Sequence, residues 1–226
     1  MAEQRSNMKT PKYKCAIFDL DGTLLYTLES INNALNETMR LVGYPEHTLN
    51  DTLGFVNFGS VELIRRALPE NKRAPEEVMR VHEIYAPILQ RHSSVGTKPY
   101  DGIIEVCKEL RGAGVTLCVM SNKPDASAKK CIDTYFDSGL FKIVRGSVPG
   151  KFIKPDAEFT LDVIKEAGFS KEDCIIIGDS IVDLQTAKNA GCPCLWVKWG
   201  YGTEENIGGV PEFIAEKTED LLSIIL

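Results

Sequence analysis

The chain has 226 residues, 43% apolar and 26% charged, an ordinary globular balance that argues against long disordered, collagenous or coiled-coil regions. That length can bury roughly 70% of the unfolded surface, enough for one large domain or a core with a smaller companion. A formal charge of −6 with scattered Lys and Arg argues against nucleic acid as a partner, and no window approaches 18 apolar residues, which argues against a spanning helix.

In chain order, Met1 to Lys14 is polar and predicts a frayed leading segment on a cytoplasmic protein. Cys15 to Phe18 is a short apolar run followed by Asp19, Asp21 and Gly22, the format of a buried parallel strand that ends in a functional loop. From about 25 to 96 the pattern turns helical. Leu28, Ile31, Leu35, Met39 and Val42 form one stripe, Val61, Ile64 and Leu68 a second, and Val78, Val81, Tyr85, Ile88 and Leu89 a third, in which Pro87 predicts a kink or an early end.

Beyond residue 96 strand and helix alternate. Val115 to Met120 runs into Ser121-Asn122, Cys174 to Ile177 runs into Gly178-Asp179, and Ile143-Val144 and Leu195 to Val197 read as further strands. Between them lie helical segments from Ile103 to Arg111, Ala126 to Phe136, Glu158 to Ala167 and Val182 to Ala190, with Gly112, Gly168 and Gly191 as C-terminal stops. This alternation predicts an α/β fold, a Rossmann-like parallel sheet with helices on both faces. The expected division is a core of residues 1–24 and 97–226, interrupted by an all-helical cap over 25–96.

In an open parallel sheet, ligands bind outside the carboxyl ends of the strands. Three such ends here deliver Asp19, Asp21 and Thr23; Ser121 and Asn122; and Asp179 with Asp183 one helical turn later, while Lys154-Pro155 precedes a helix. Two carboxylates about 5 Å apart repel by roughly 3 kcal/mol at an effective dielectric of about 20, so such a cluster calls for a cation. With oxygen donors and no His or Cys among them, Mg²⁺ is the expected one.

Screened by metal and Lys154, the Asp19 carboxylate can attack phosphorus. Asp21, two residues on, can protonate the leaving alkoxide and later activate water. Thr23, Ser121 and Asn122 can hold the phosphoryl oxygens as charge spreads over them.

Asp19-Leu-Asp-Gly-Thr23, Ser121-Asn122, Lys154-Pro155 and Gly178-Asp179-Ser-Ile-Val-Asp183 together resemble the motif series of the haloacid dehalogenase superfamily, in its phosphatase branch with a helical cap. The resemblance spans nearly the whole chain. It implies Asp19 as nucleophile, Asp21 as acid and base, Lys154 as charge neutraliser, phosphoryl contacts from Ser121 and Asn122, and Mg²⁺ held by Asp19, the Asp21 carbonyl and Asp179 with Asp183 in support.

Cap length, Ser121-Asn-Lys123 and Gly178-Asp-Ser180 are most similar to the phosphoglycolate phosphatases, which implies a small phosphorylated metabolite as partner and neither nucleic acid nor membrane. Monomer and homodimer stay equally open. One departure is Tyr26, where such proteins carry a second Asp before Ser or Thr. Gly54 to Ser60 is a candidate specificity loop, with a plain helix connection as its alternative.

Other signals point elsewhere. The seven cysteines, odd in number and several in apolar runs, read as reduced core thiols. Gly146 to Lys151 has the wrong spacing for a nucleotide loop, with Phe152 where Ser or Thr is needed. His47, His82 and His92 fall in the helical insert and read as surface or packing residues, and Trp196 and Trp199 as core filling.

A sugar phosphomutase is the competing enzyme, disfavoured by the few polar groups of Gly54 to Ser60. A dehalogenase has no use for Asp21, and a phosphonate-cleaving enzyme needs a cap lysine for which only Lys72 is available. A non-catalytic phospho-acceptor has no reason to carry the helical insert.

Overall fold

The computed structural model describes residues 10–226; the expected leader lies, up to residue 9, outside the described residues. The remainder of it is not frayed. The backbone N–H groups of Lys12 and Tyr13 both donate to the carbonyl of Ile225, at 2.9 and 3.3 Å, which ties this segment to the last helix.

Six strands form one parallel sheet in the order β5 (Ile143–Ser147), β4 (Thr116–Pro124), β1 (Cys15–Phe18), β6 (Cys174–Gly178), β7 (Cys194–Val197) and β8 (Phe213–Ala215). β1 is central, and all four of its residues are buried because apolar side chains are needed on both faces of a covered sheet. Alternate residues serve opposite faces. Ala16 and Phe18 join the core formed with α5 (Ile103–Gly112), α6 (Asp125–Tyr135) and α9 (Asp220–Ile225), whereas Cys15 and Ile17 join that formed with α7 (Ala157–Ala167) and α8 (Ile181–Ala190). All seven cysteines are buried and free, in line with the sequence reading.

Between β1 and β4 the chain builds α1 (Leu28–Val42), α2 (Leu49–Leu53), α3 (Ser60–Ala67) and α4 (Pro75–His92), of which α1, α3 and α4 share a separate apolar cluster centred on Leu35, Met39, Ile64, Val81 and Tyr85. The two chain crossings into and out of this helical layer are bound together. β2 (Leu25–Tyr26) pairs antiparallel with β3 (Lys98–Pro99).

Several local expectations need correction. α4 does not stop at Pro87 but continues to His92, because Tyr85, Ile88 and Leu89 on either side of the proline are buried in the helical core and hold the turn. Val61 is 42% exposed and lies outside its stripe, whereas Ile64 and Leu68 are buried. Gly112 ends inside α5, and the αR residue Ala113 caps it; the left-handed turn falls at Gly114. Gly168 and Gly191 do cap their helices in the left-handed conformation.

Candidate active site

The carboxyl ends of β1, β4 and β6 open on one side, and the groups read from the sequence gather there. Asp19 follows β1. Its Oδ1 accepts from the Leu20 N–H at 2.7 Å and lies 2.9 Å from Lys154 Nζ, although Lys154 arrives from the loop before α7. The same ammonium lies 2.6 Å from Asp183 Oδ1. Asp183 is placed by the start of α8, where its Oδ2 accepts from the Ser180 N–H and hydroxyl in a capping box. A helix cap and an ion pair thus occupy one carboxylate.

Asp179, at the end of β6, is fully buried and accepts from the Tyr201 N–H at 2.7 Å and the Thr23 hydroxyl at 3.1 Å. Thr23, expected among the phosphoryl contacts, therefore directs its hydroxyl at Asp179. Ser121 lines the cavity beside Asp19 and accepts from the Lys123 N–H. The Asn122 amide is committed on both sides. It accepts from the Lys154 N–H at 2.8 Å and donates to the carbonyls of Lys154 and Asn57, so it clamps the Lys154 loop to β4 and to the connection between α2 and α3.

Sequence reasoning noted Lys123 only as part of a motif. Its side chain is 2% exposed and its Nζ lies 3.0 Å from Asp21 Oδ1, which makes it the second buried cation of the site. The signal was its place in the Ser121-Asn-Lys123 run, every residue of which lines the cavity. The tryptophans do more than fill space: Trp196 Nε1 donates to the Asp179 carbonyl and Trp199 Nε1 to the Thr23 carbonyl, each at 3.0 Å, so the β7 edge braces both acidic loops.

The electrostatics are unbalanced. Burial pushes the Asp19 carboxyl up to about 7 despite Lys154, with Asp183 adding to the rise, and burial with Asp183 and Asp19 pushes Asp179 well above the usual carboxylate range. Burial alone lowers the Lys154 ammonium, but Asp183 and Asp19 reverse that and raise it. Asp19, Asp179 and Asp183 each offer an oxygen within 4.8 Å of the others. With all four carboxylates ionised, two lysines leave a shortfall of two positive charges that one divalent cation would make good. An all-oxygen donor set of this kind fits a hard cation.

Asp19, Asp21, Ser121, Asn122 and Lys123 form the floor of a small cavity of about 40 Å³, and the helical layer closes over it with Ile31, Val56, Leu63, Tyr85 and Leu89. The haloacid dehalogenase-like hydrolase family model matches residues 16–197, the stretch that contains every one of these floor groups.

The chain belongs to that family. A phosphoglycolate phosphatase of Agrobacterium fabrum is 33% identical over 193 residues, 84% of this chain and 83% of the relative. One from Aquifex aeolicus is 29% identical across 92% of this chain and 95% of its own length. The crystal structure of a Lactobacillus delbrueckii subsp. bulgaricus protein, a candidate phosphoglycolate phosphatase, superposes with a TM-score of 0.86 at 31% identity, covering 95% of this chain and 99% of that one. As a haloacid dehalogenase-like hydrolase the chain is an enzyme, its likeness is to the phosphatases of the family, and its six parallel strands carry the family fold. Among the described residues, no helix is long and apolar enough to cross a membrane.

Proposed function

We propose that this hydrolase is a Mg²⁺-dependent phosphomonoesterase that works through a phosphoryl group carried on Asp19, with phosphoglycolate or a comparably small phosphorylated metabolite as substrate. The observation that carries the reading is the Asp19 carboxylate set between Lys154 and a second acid, Asp21, in the cavity beneath the helical layer.

The ester enters with its phosphorus over Asp19. The Asp19 oxygen not held by Leu20 and Lys154 forms the new P–O bond as the ester P–O bond breaks. Lys154 neutralises charge at the attacking carboxylate; Asp19, Asp179 and the Asp21 carbonyl, with Asp183 in support, would hold a divalent cation, which would supply further charge neutralisation at the phosphoryl group. Ser121 offers its hydroxyl to those oxygens, and Asn122 fixes the loop that brings Lys154 in.

Asp21 gives its proton to the leaving alkoxide. It then takes one from a water whose oxygen attacks the aspartyl phosphate, which returns Asp19 as a carboxylate and releases inorganic phosphate. Lys123 holds Asp21 in register through both steps. On this reading 25–96 is a cap domain over a core of 1–24 and 97–226, with β2 and β3 as its paired hinge strands. The mostly apolar underside of the cap favours release to water of a small alcohol over the sugar grip a phosphomutase needs.

The test is turnover of an aryl phosphate and of phosphoglycolate with Mg²⁺. Activity that vanishes in Asp19→Asn and with a chelator supports the proposal, whereas turnover retained in Asp19→Asn removes it.

A further inference from the structure

Two residues of the helical layer that carry hydroxyls line the catalytic cavity. Tyr85, in α4, is 1% exposed, its ring packs in the helical core, and it lines the cavity roof across from Asp21 and Lys123. Among the described residues its hydroxyl has no hydrogen-bond partner. A buried tyrosine normally pairs its O–H within the protein, so a hydroxyl left unpaired beside the catalytic cavity is available to a ligand.

Ser60, the first residue of α3, lines the same cavity, and its Oγ lies 2.8 Å from His82 Nε2 on α4. His82, read from the sequence as a surface or packing residue, is half-buried and makes this contact between α3 and α4. Around the two hydroxyls the roof is apolar: Ile31, Val56, Leu63 and Leu89.

We propose that Tyr85 Oη and Ser60 Oγ form the leaving-group subsite, binding a second oxygen on a short carbon skeleton, with His82 as the positioning residue that aims Ser60. The inference rests on the phosphomonoesterase reading above and adds to it which part of the substrate the helical layer recognises. Burial, then the charge of Asp21, raises the Tyr85 phenol, which keeps it a neutral donor. Burial lowers His82, which keeps the imidazole neutral and able to meet Ser60 as donor or acceptor. A carboxylate or hydroxyl on the leaving group finds its partners here, whereas a bare alkyl chain strands both hydroxyls.

The experiment compares phosphoglycolate and 2-hydroxyethyl phosphate with ethyl phosphate, which lacks the second oxygen, in the full-length Mg²⁺-loaded enzyme. Tyr85→Phe and Ser60→Ala are each expected to raise KM about tenfold or more for at least one oxygenated ester, with kcat within threefold and ethyl phosphate unaffected. His82→Ala should copy Ser60→Ala and add nothing in the double variant. Tyr85→Phe should not lower Tm, because the hydroxyl it removes has no protein partner.

Equal effects on all three esters, or none, overturn the subsite. So does a wild type that hydrolyses an aryl phosphate and neither oxygenated ester, an outcome that leaves the phosphatase reading standing; failure on every phosphate ester strikes that reading instead.

Discussion

Lys123 Nζ lies 3.0 Å from Asp21 Oδ1 and 3.3 Å from Oδ2, the lysine side chain 2% exposed and the aspartate 16%. An ammonium so deep in the protein is retained because its partner carboxylate compensates for lost hydration; burial lowers Lys123, and Asp21 raises it above the usual lysine value. The pair also fixes the position of the Asp21 carboxyl beside Asp19.

Replacing the lysine with an isosteric apolar residue, Lys123→Met, should therefore cost more in rate than in fold. A positioned acid–base group contributes about 10²–10⁴-fold, and losing its anchor should forfeit roughly tenfold to a hundredfold of kcat. Stability should fall by only about 1–3 kcal/mol, since Asp21 keeps some access to water. Steady-state kinetics alongside urea unfolding separates the two effects, and unchanged kcat sinks the positioning role.

The acidic cluster predicts a pH dependence of stability for the metal-free protein. The Asp19 carboxyl sits at about 7 in the folded chain and near 3.9 when unfolded, so between those values the folded state holds a proton the unfolded state has released. Stability from this group is complete below about pH 4 and is lost as pH rises through 7. Asp179, also raised, acts in the same direction. Thermal melts with a chelator from pH 4.5 to 8 should show wild type declining more steeply than Asp19→Asn; parallel curves refute the prediction.

Adding Mg²⁺ at pH 7.5 should reverse that decline, because a cation favours the ionised carboxylates it binds. At a hundred times its dissociation constant the ion stabilises by about 2.7 kcal/mol, readable as a rise in Tm. Asp179 is the residue to test: it lies in the three-carboxylate cluster yet, unlike Asp19 and Asp183, is not paired with Lys154. Asp179→Asn should abolish the Mg²⁺-induced shift and turnover together. A shift of wild-type size in that variant places the metal elsewhere.

Much of this architecture was legible because buried parallel strands announce themselves. Cys15 to Phe18 and Cys174 to Ile177 are uninterrupted apolar runs with acids at their exits, and such runs have few other places to go in an α/β chain. Asp19, Asp21, Ser121, Asn122, Lys154, Asp179 and Asp183 could be read as one site for the same reason. What could not be read depended on contacts between distant segments. Phe213–Ala215 became an edge strand only by lying against β7, having too few residues for a period.

Thr23 could not be assigned to Asp179, 156 positions away, from spacing. The partnership of Ser60 with His82 arises from the packing of α3 on α4, which no one-dimensional pattern encodes. Pro87 shows the converse, a strong local signal overruled by tertiary burial on both sides of it.

Gly200 supplies the sharpest structural test, because it lies where the segment after β7 passes between the two acidic loops. A Cβ built there runs into the Asp179 side chain and the Gly22 carbonyl, neither of which is a flexible end that can swing aside. Asp179 is held by Thr23, Tyr201 and Trp196, so relief has to come from shifting the loops themselves. Gly200→Ala should cost about 1–3 kcal/mol by overpacking and, by displacing Asp179 relative to Asp19, reduce Mg²⁺-dependent turnover well beyond what the lost stability explains. Gly112→Ala is the matched control: nothing lies within 4 Å of its Cβ and it sits in helix α5, where alanine is worth up to about 1 kcal/mol. Urea midpoints and kinetics on the pair give the answer. If Gly200→Ala keeps wild-type turnover, the close passage of this segment does not set the geometry of the acidic cluster.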